Sequence, residues 1–165
     1  MRYGCVRGAV MALAAAAGFH GEAAAQILDR YNTGQWVVQA NASNGAFSNC
    51  TAAAPYGGGA NVTFMLTNKM VWGISLTNPQ WTWRVGSRGR VSYWIDGSAP
   101  HAGSATATTP QRLILVLADS RRLFEQIRAG DRMFFRPDGH NAFSMTLKGT
   151  SVALAELMGC VRKYR

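Results

Sequence analysis

A chain of 165 residues has the length of one domain, and its 17 Lys+Arg against 8 Asp+Glu give a formal net charge of +9 at pH 7. Past the first 25 residues no segment approaches the roughly 18 uninterrupted apolar residues of a membrane span, so a soluble domain is expected. Three cysteines and three histidines are too few and too scattered for a metal site, so neither a metal nor a cofactor is expected.

The start of the chain reads as a secretory signal. Met1 to Arg7 is a basic segment, Gly8 to Phe19 is apolar and alanine-rich, and Ala23-Ala24-Ala25 offers the small residues that a signal peptidase needs. The expected division is a signal peptide at 1–25 and a single exported domain at 26–165, periplasmic or secreted. Removing Arg2, Arg7 and Glu22 leaves 15 cationic residues against 7 acidic ones, and twelve of the fifteen are arginine. Cys5 leaves with the signal. Cys50 and Cys160 remain, and two cysteines in an exported domain predict one disulfide. In the chain-entropy view a loop this long is worth about 4–5 kcal/mol.

Most of the mature chain has the period of two that buries one face of a strand. Trp36 to Ala40 opens the ordered domain, Asn44-Gly45 is a turn, and Phe47 to Ala54 returns with Cys50. Tyr56 to Asn61 is a glycine-rich loop. Val62, Phe64 and Leu66 alternate with Thr63 and Met65, Met70, Trp72, Ile74 and Leu76 alternate with Val71, Gly73 and Ser75, and Asn78-Pro79 breaks the pattern. Trp81, Trp83 and Val85 then face Val91, Tyr93 and Ile95 in an expected hairpin. A three-residue Ser87-Arg88-Gly89 loop pairs all six on one buried face, with Gly89 as the left-handed residue.

Arg112 to Leu117 is apolar on both faces, as in a central strand. Asp119 or Ser120 caps a short helix that buries Leu123, Phe124 and Ile127 and ends at Gly130. Asp131 to Arg136 is a strand, Asp138-Gly139 a turn, and Phe143, Met145 and Leu147 alternate once more. From Thr150 or Ser151 the pattern is helical, with Val152, Ala155, Met158 and further Leu154 and Val161 expected inward. The architecture expected is mainly β: an antiparallel sandwich or half-barrel with a short inserted helix and a closing C-terminal helix.

The segment from Phe143 to Val161 carries a strand, Leu147-Lys148-Gly149, and an Ala-Leu-rich helix ending in Cys160-Val161. It resembles the tail of the invasion-associated locus B family of exported alphaproteobacterial proteins, as do the Trp36-Val37-Val38 strand and the Cys50 that follows it. This chain differs in having no Gly-Cys pair in its middle. The resemblance implies a periplasmic, β-sandwich-like domain. It brings no catalytic residues to carry over.

Candidate chemistry is sparse. Asp96, His101 and Ser104, or Asp138, His140 and Ser144, could supply a triad, but no Gly-x-Ser-x-Gly elbow accompanies them and they sit in Gly/Pro turns. The seven mature acids show no gathering of the kind that glycoside cleavage requires. The most suggestive surface is arginine beside tryptophan. In the expected hairpin, Arg84, Arg88 and Arg90 surround Trp94 on an outer face, a setting for cation–π contacts and anion binding. The competing arrangement buries Trp94 under a helix. The expected function is a non-catalytic binding or accessory module for an acidic polysaccharide, lipid head group or protein, with nucleic acid an improbable partner outside the cell. The runner-up is an envelope-polymer hydrolase or a hydrolase inhibitor.

Overall fold

The computed structural model describes residues 26–165; the segment read as a signal, with Cys5, lies outside the described residues. Ten strands form one antiparallel sheet in the order β1-β2-β3-β4-β5-β8-β7-β6-β9-β10, and it does not close into a barrel. The strands are β1 Gln26–Thr33, β2 Trp36–Ser43, β3 Ala46–Pro55, β4 Asn61–Thr67, β5 Trp72–Thr77, β6 Arg88–Ile95, β7 His101–Thr109, β8 Arg112–Val116, β9 Arg132–Pro137 and β10 Phe143–Thr146. Helix α1 spans Arg121–Ala129 and α2 spans Thr150–Tyr164.

Strand alternation builds the core as expected. Trp36, Val38 and Ala40 of β2, Cys50, Ala52 and Ala54 of β3, and Val62, Phe64 and Leu66 of β4 all face inward and are buried. Asn44 and Gly45 both take positive φ, the backbone that a two-residue hairpin between right-twisted strands needs. Helix α2 covers this inner face, packing on β2, β3 and β4. A disulfide joins Cys50 of β3 to Cys160 of α2, with Cα atoms 6.2 Å apart. Trp36 donates its indole N–H to the Lys148 carbonyl at 3.2 Å, fixing the entry to α2 against the start of β2.

Four local expectations are corrected. The ordered domain opens one strand earlier than Trp36, at Gln26: β1 pairs with β2 across the tight turn at Gly34. The Trp81–Val85 segment is not a strand. Both edges of β6 are occupied, one by β7 and the other by β9, so no edge is left for a hairpin with residues 81–85. Val91, Tyr93 and Ile95 are buried as expected, but Val85 is 59% exposed. The left-handed glycine is Gly86 at φ 81°, in a turn closed by Ser87 N–H to the Arg84 carbonyl at 3.0 Å, and Arg88 already belongs to β6.

The fourth correction concerns α2, which buries Thr150, Ala153, Leu154, Leu157, Cys160 and Val161, while Val152 is 56% exposed and Ala155 faces solvent. Its rotation is set by Cys160, which must face β3. Residues three, six or seven, and ten positions before Cys160 therefore turn inward with it.

The first half of the helical reading holds. Ser120 Oγ accepts from Leu123 N–H at 3.3 Å and caps α1, which buries Leu123 and Ile127. Gly130 ends the helix with φ −82°, so handedness is not its reason. A Cβ at that position would collide with Ile95. The Thr150 hydroxyl, fully buried, lies 2.7 Å from the Leu147 carbonyl and 3.0 Å from that of Ile127, tying the end of α1 to the start of α2. Among the described residues no helix is long and apolar enough to cross a membrane.

Candidate functional site

The irregular stretch from Asn78 to Ser87 is held by backbone bonds rather than by strand pairing. Asn78 N–H reaches the Gln111 carbonyl at 2.9 Å and Trp83 N–H reaches that of Pro110 at 2.8 Å. Gly86 N–H donates to the Ala107 carbonyl, and Ala107 N–H returns the bond to Ser87. The Asn78 side chain accepts from Gln80 N–H at 2.9 Å, closing a local turn. The segment thus lies fixed against the β7–β8 hairpin and stands as one wall of a cleft.

That cleft brings together three of the four candidate ligand-binding residues. Arg84, Arg88 and Arg90 line a cavity of about 370 Å³ with Trp83, Asp138 and His140, over a floor that includes Val91, Ala105 and Leu113. Among the described residues the ion pairs are Arg128–Glu125 and Lys163–Asp29, so none of the three cleft arginines is neutralised by a carboxylate. Asp138 is the one acid on the lining. Trp83 packs edge-on against His140 with ring centres 4.8 Å apart. Its indole N–H is buried without an acceptor, a state that costs about 1–3 kcal/mol when nothing fills it.

Trp94 is elsewhere. It lies four residues beyond Arg90 on the same face of β6 and stacks on Phe134 of β9, with ring centres 5.3 Å apart and planes 6° from parallel. The guanidinium over its ring belongs to Arg136, at 5.3 Å, and not to Arg84. Neither the expected Arg84–Trp94 neighbourhood nor burial under a helix is found: β9 is the hydrogen-bonded neighbour of Trp94, and it supplies both partners.

Two further recesses adjoin the cleft and share lining residues with it or with each other. A second chamber of about 400 Å³ is lined by Gln80, Trp81, Trp83, His140, Asn141 and Phe143. A third, of about 450 Å³, runs on past Trp81, Asn141 and Phe143 to Tyr56, Asn61 and Asn78. Trp81 touches both Trp83, at 6.1 Å, and Phe143, at 5.5 Å, edge to face. Tyr56 donates its hydroxyl to the Thr146 carbonyl at 2.6 Å, and burial pushes its pKa up to about 12. At neutral pH it is therefore a fixed, uncharged wall.

The other sequence candidates do not gather. Asp96, in the left-handed region at φ 47°, accepts from Asp131 N–H at 3.0 Å and Arg132 N–H at 2.9 Å, a structural clamp between β6 and β9. His101 stacks on Tyr93 at 5.5 Å. Asp138 N–H bonds to Arg90, so Asp138 and His140 lie at the other end of β6 from Asp96. Ser144 receives a hydrogen bond from Arg132 at 2.7 Å. Among the described residues no group of three or more His, Cys, Asp or Glu could hold a metal ion.

No protein-family model matches the chain, and no curated protein matches it. The fold does resemble a solved structure, that of invasion associated protein B from Bartonella henselae. The TM-score is 0.58 at 17% identity, over 81% of this chain and 98% of that one. The fold likeness agrees with the family resemblance drawn from the Phe143–Val161 tail.

Proposed function

We propose that this protein is a non-catalytic binding or accessory module acting outside the cytoplasm, in an envelope or host-interaction role, with an anionic ligand held in the arginine cleft. The observation that carries the reading is the convergence of Arg84, Arg88 and Arg90, all without a carboxylate partner, on one cavity beside Trp83. Guanidinium groups present a planar fork that matches carboxylate, sulfate and phosphate, and three of them in a recess focus the field on an incoming anion. The Cys50–Cys160 disulfide fits an oxidising compartment. The fold likeness to an invasion-associated protein favours a role at the cell surface or with a host.

The hydrolase alternative rests on Asp138 and His140 sharing the same recess. One carboxylate, with no activated nucleophile beside it, gives weaker support to cleavage than three free arginines give to binding.

The test is retention of the exported protein on dextran sulfate compared with uncharged dextran, across a salt gradient. Binding should fall steeply as salt rises, since exposed charges are screened over about 10 Å at 0.1 M. Arg84→Ala with Arg90→Ala should abolish retention, and Arg121→Ala with Arg122→Ala on α1 should leave it nearly intact. Equal loss in both double variants would reduce the effect to net charge and end the claim for a site.

A further inference from the structure

The arginine recess adjoins two further recesses whose chemistry differs from its own. Successive chambers share their walls: Trp83 and His140 belong to the first two, and Trp81, Asn141 and Phe143 to the second and third. Along this path the positive charge disappears and two features replace it. One is a run of aromatic surface, Trp83, Trp81 and Phe143, with Trp81 in edge contact with each of the other two. The other is a set of side-chain amides, Gln80, Asn141, Asn61 and Asn78, beside the rings.

Amides offer donor and acceptor together, which suits hydroxyl groups better than it suits carboxylates or acyl chains. Aromatic faces take the flat C–H faces of sugar rings. A lipid tail would call for an apolar tunnel without the amides, and an acidic peptide would have no use for hydroxyl-reading groups. The arginines then meet a charged substituent on the same polymer.

Building on the anionic-ligand reading, we propose that the groove running from Arg84 and Arg90 past Trp83 and Trp81 to Phe143 is the track of an acidic polysaccharide. Uronate or sulfate groups sit at the arginine end, and unsubstituted ring faces lie on Trp81 and Phe143. The groove therefore reads chain length as well as charge.

Tryptophan fluorescence of the exported protein, titrated with polygalacturonate oligomers of increasing length and with dextran sulfate, tests this. Polyglutamate, phosphatidylglycerol vesicles and neutral dextran serve as comparisons. Affinity for at least one acidic polysaccharide should rise with its length and exceed that for polyglutamate. Trp81→Ala and Asn141→Ala should each weaken polysaccharide binding, the former by about tenfold, and leave residual polyglutamate binding unchanged. Asn141 is exposed, so its variant reports even where loss of Trp81 impairs folding.

Arginine-dependent binding of polyglutamate or vesicles as tight as that of the polysaccharides would overturn the sugar assignment and leave the anionic-ligand reading standing. So would polysaccharide binding indifferent to length, Trp81 and Asn141. Absence of arginine-dependent binding to every probe would overturn both.

Discussion

Asp29 of β1 accepts a 2.9 Å hydrogen bond from the Lys163 ammonium near the end of α2. The Tyr164 hydroxyl donates to the same carboxylate oxygen at 2.9 Å, and nearby Tyr31 donates to Glu156 at 3.2 Å. The edge strand of the sheet is thus attached to the helix that closes it by polar side chains, whereas β2 to β4 meet the same helix through the core.

These bonds set a pH dependence. The hydrogen bond from Lys163 holds the Asp29 carboxyl below its ordinary value, and that bond also raises the pKa of Lys163. A carboxylate depressed on folding contributes stability that is present above its unfolded pKa and fades as pH falls through the folded one. A raised ammonium contributes below its unfolded pKa and fades as pH climbs through the folded one. Wild type should therefore melt higher than Asp29→Asn by a steady margin between about pH 5 and pH 9, and the margin should close toward pH 3. Thermal melts monitored by circular dichroism at these pH values check it; a margin that persists in acid would detach the effect from the carboxylate.

Removing the disulfide by Cys50→Ala with Cys160→Ala should cost about 2–5 kcal/mol in urea unfolding while leaving the far-ultraviolet spectrum unchanged. The two sulfurs sit on faces that already pack together, so the fold does not depend on the bond for its topology. A lost spectrum would show that α2 docks only when linked.

Gly86 and Gly89 separate the observed turn from the expected hairpin loop. Gly86→Ala forces a side chain into the left-handed region at φ 81° and should destabilise by about 1–2 kcal/mol. Gly89→Ala sits in β6 with open space around its Cβ position and should be neutral or slightly stabilising. Denaturation midpoints of the two variants decide; the reverse order would restore the loop at Ser87 to Gly89.

At the ends of α1, Ser120→Ala should cost about 1 kcal/mol by freeing the Leu123 N–H. Gly130→Ala should cost about 1–3 kcal/mol, because the added methyl meets Ile95 and lies 2.9 Å from the Gln126 carbonyl. Equal stability of Gly130→Ala and wild type would mean that β6 can move aside at little cost.

Alternation of apolar residues makes β4, β5, β6 and β10 legible and a continuous apolar run makes β8 legible, because each buries side chains that water penalises. It failed at β7, whose sequence His101–Thr109 holds only Ala, Gly, Ser and Thr after the histidine. Those residues are small for a reason that lies elsewhere in the chain. A Cβ on Gly103 would sit 2.7 Å from Leu115 and 3.1 Å from Tyr93, so the neighbours fill the volume that β7 leaves vacant. Without β7 the edge of β6 reads as free in the sequence, and the alternation of Trp81, Trp83 and Val85 matches it.

The surroundings of Trp94 are hidden from the sequence for the same reason. Its true neighbours, Phe134 and Arg136, are some forty residues away in sequence, and strand order, which local pattern does not encode, brings them together. The three arginines, by contrast, lie within seven positions of one another and stay together whether the segment is a hairpin or an irregular wall. The grouping of the arginines is therefore legible in outline. The aromatic half of the groove is not, since it joins Tyr56, Trp81 and Phe143 from three separate parts of the chain.

Cys160 follows Cys50 by 110 residues, and everything from β4 to most of α2 lies between them. Strands β1 to β5 are sequential neighbours in the sheet and can pair as they emerge, with the Cys50 thiol already turned to the face that α2 will cover. The correct partner for that thiol arrives last. Oxidation therefore acts as a seal applied after assembly, and a chain halted before its final helix would leave the Cys50 thiol without Cys160 on a sheet face that α2 does not cover.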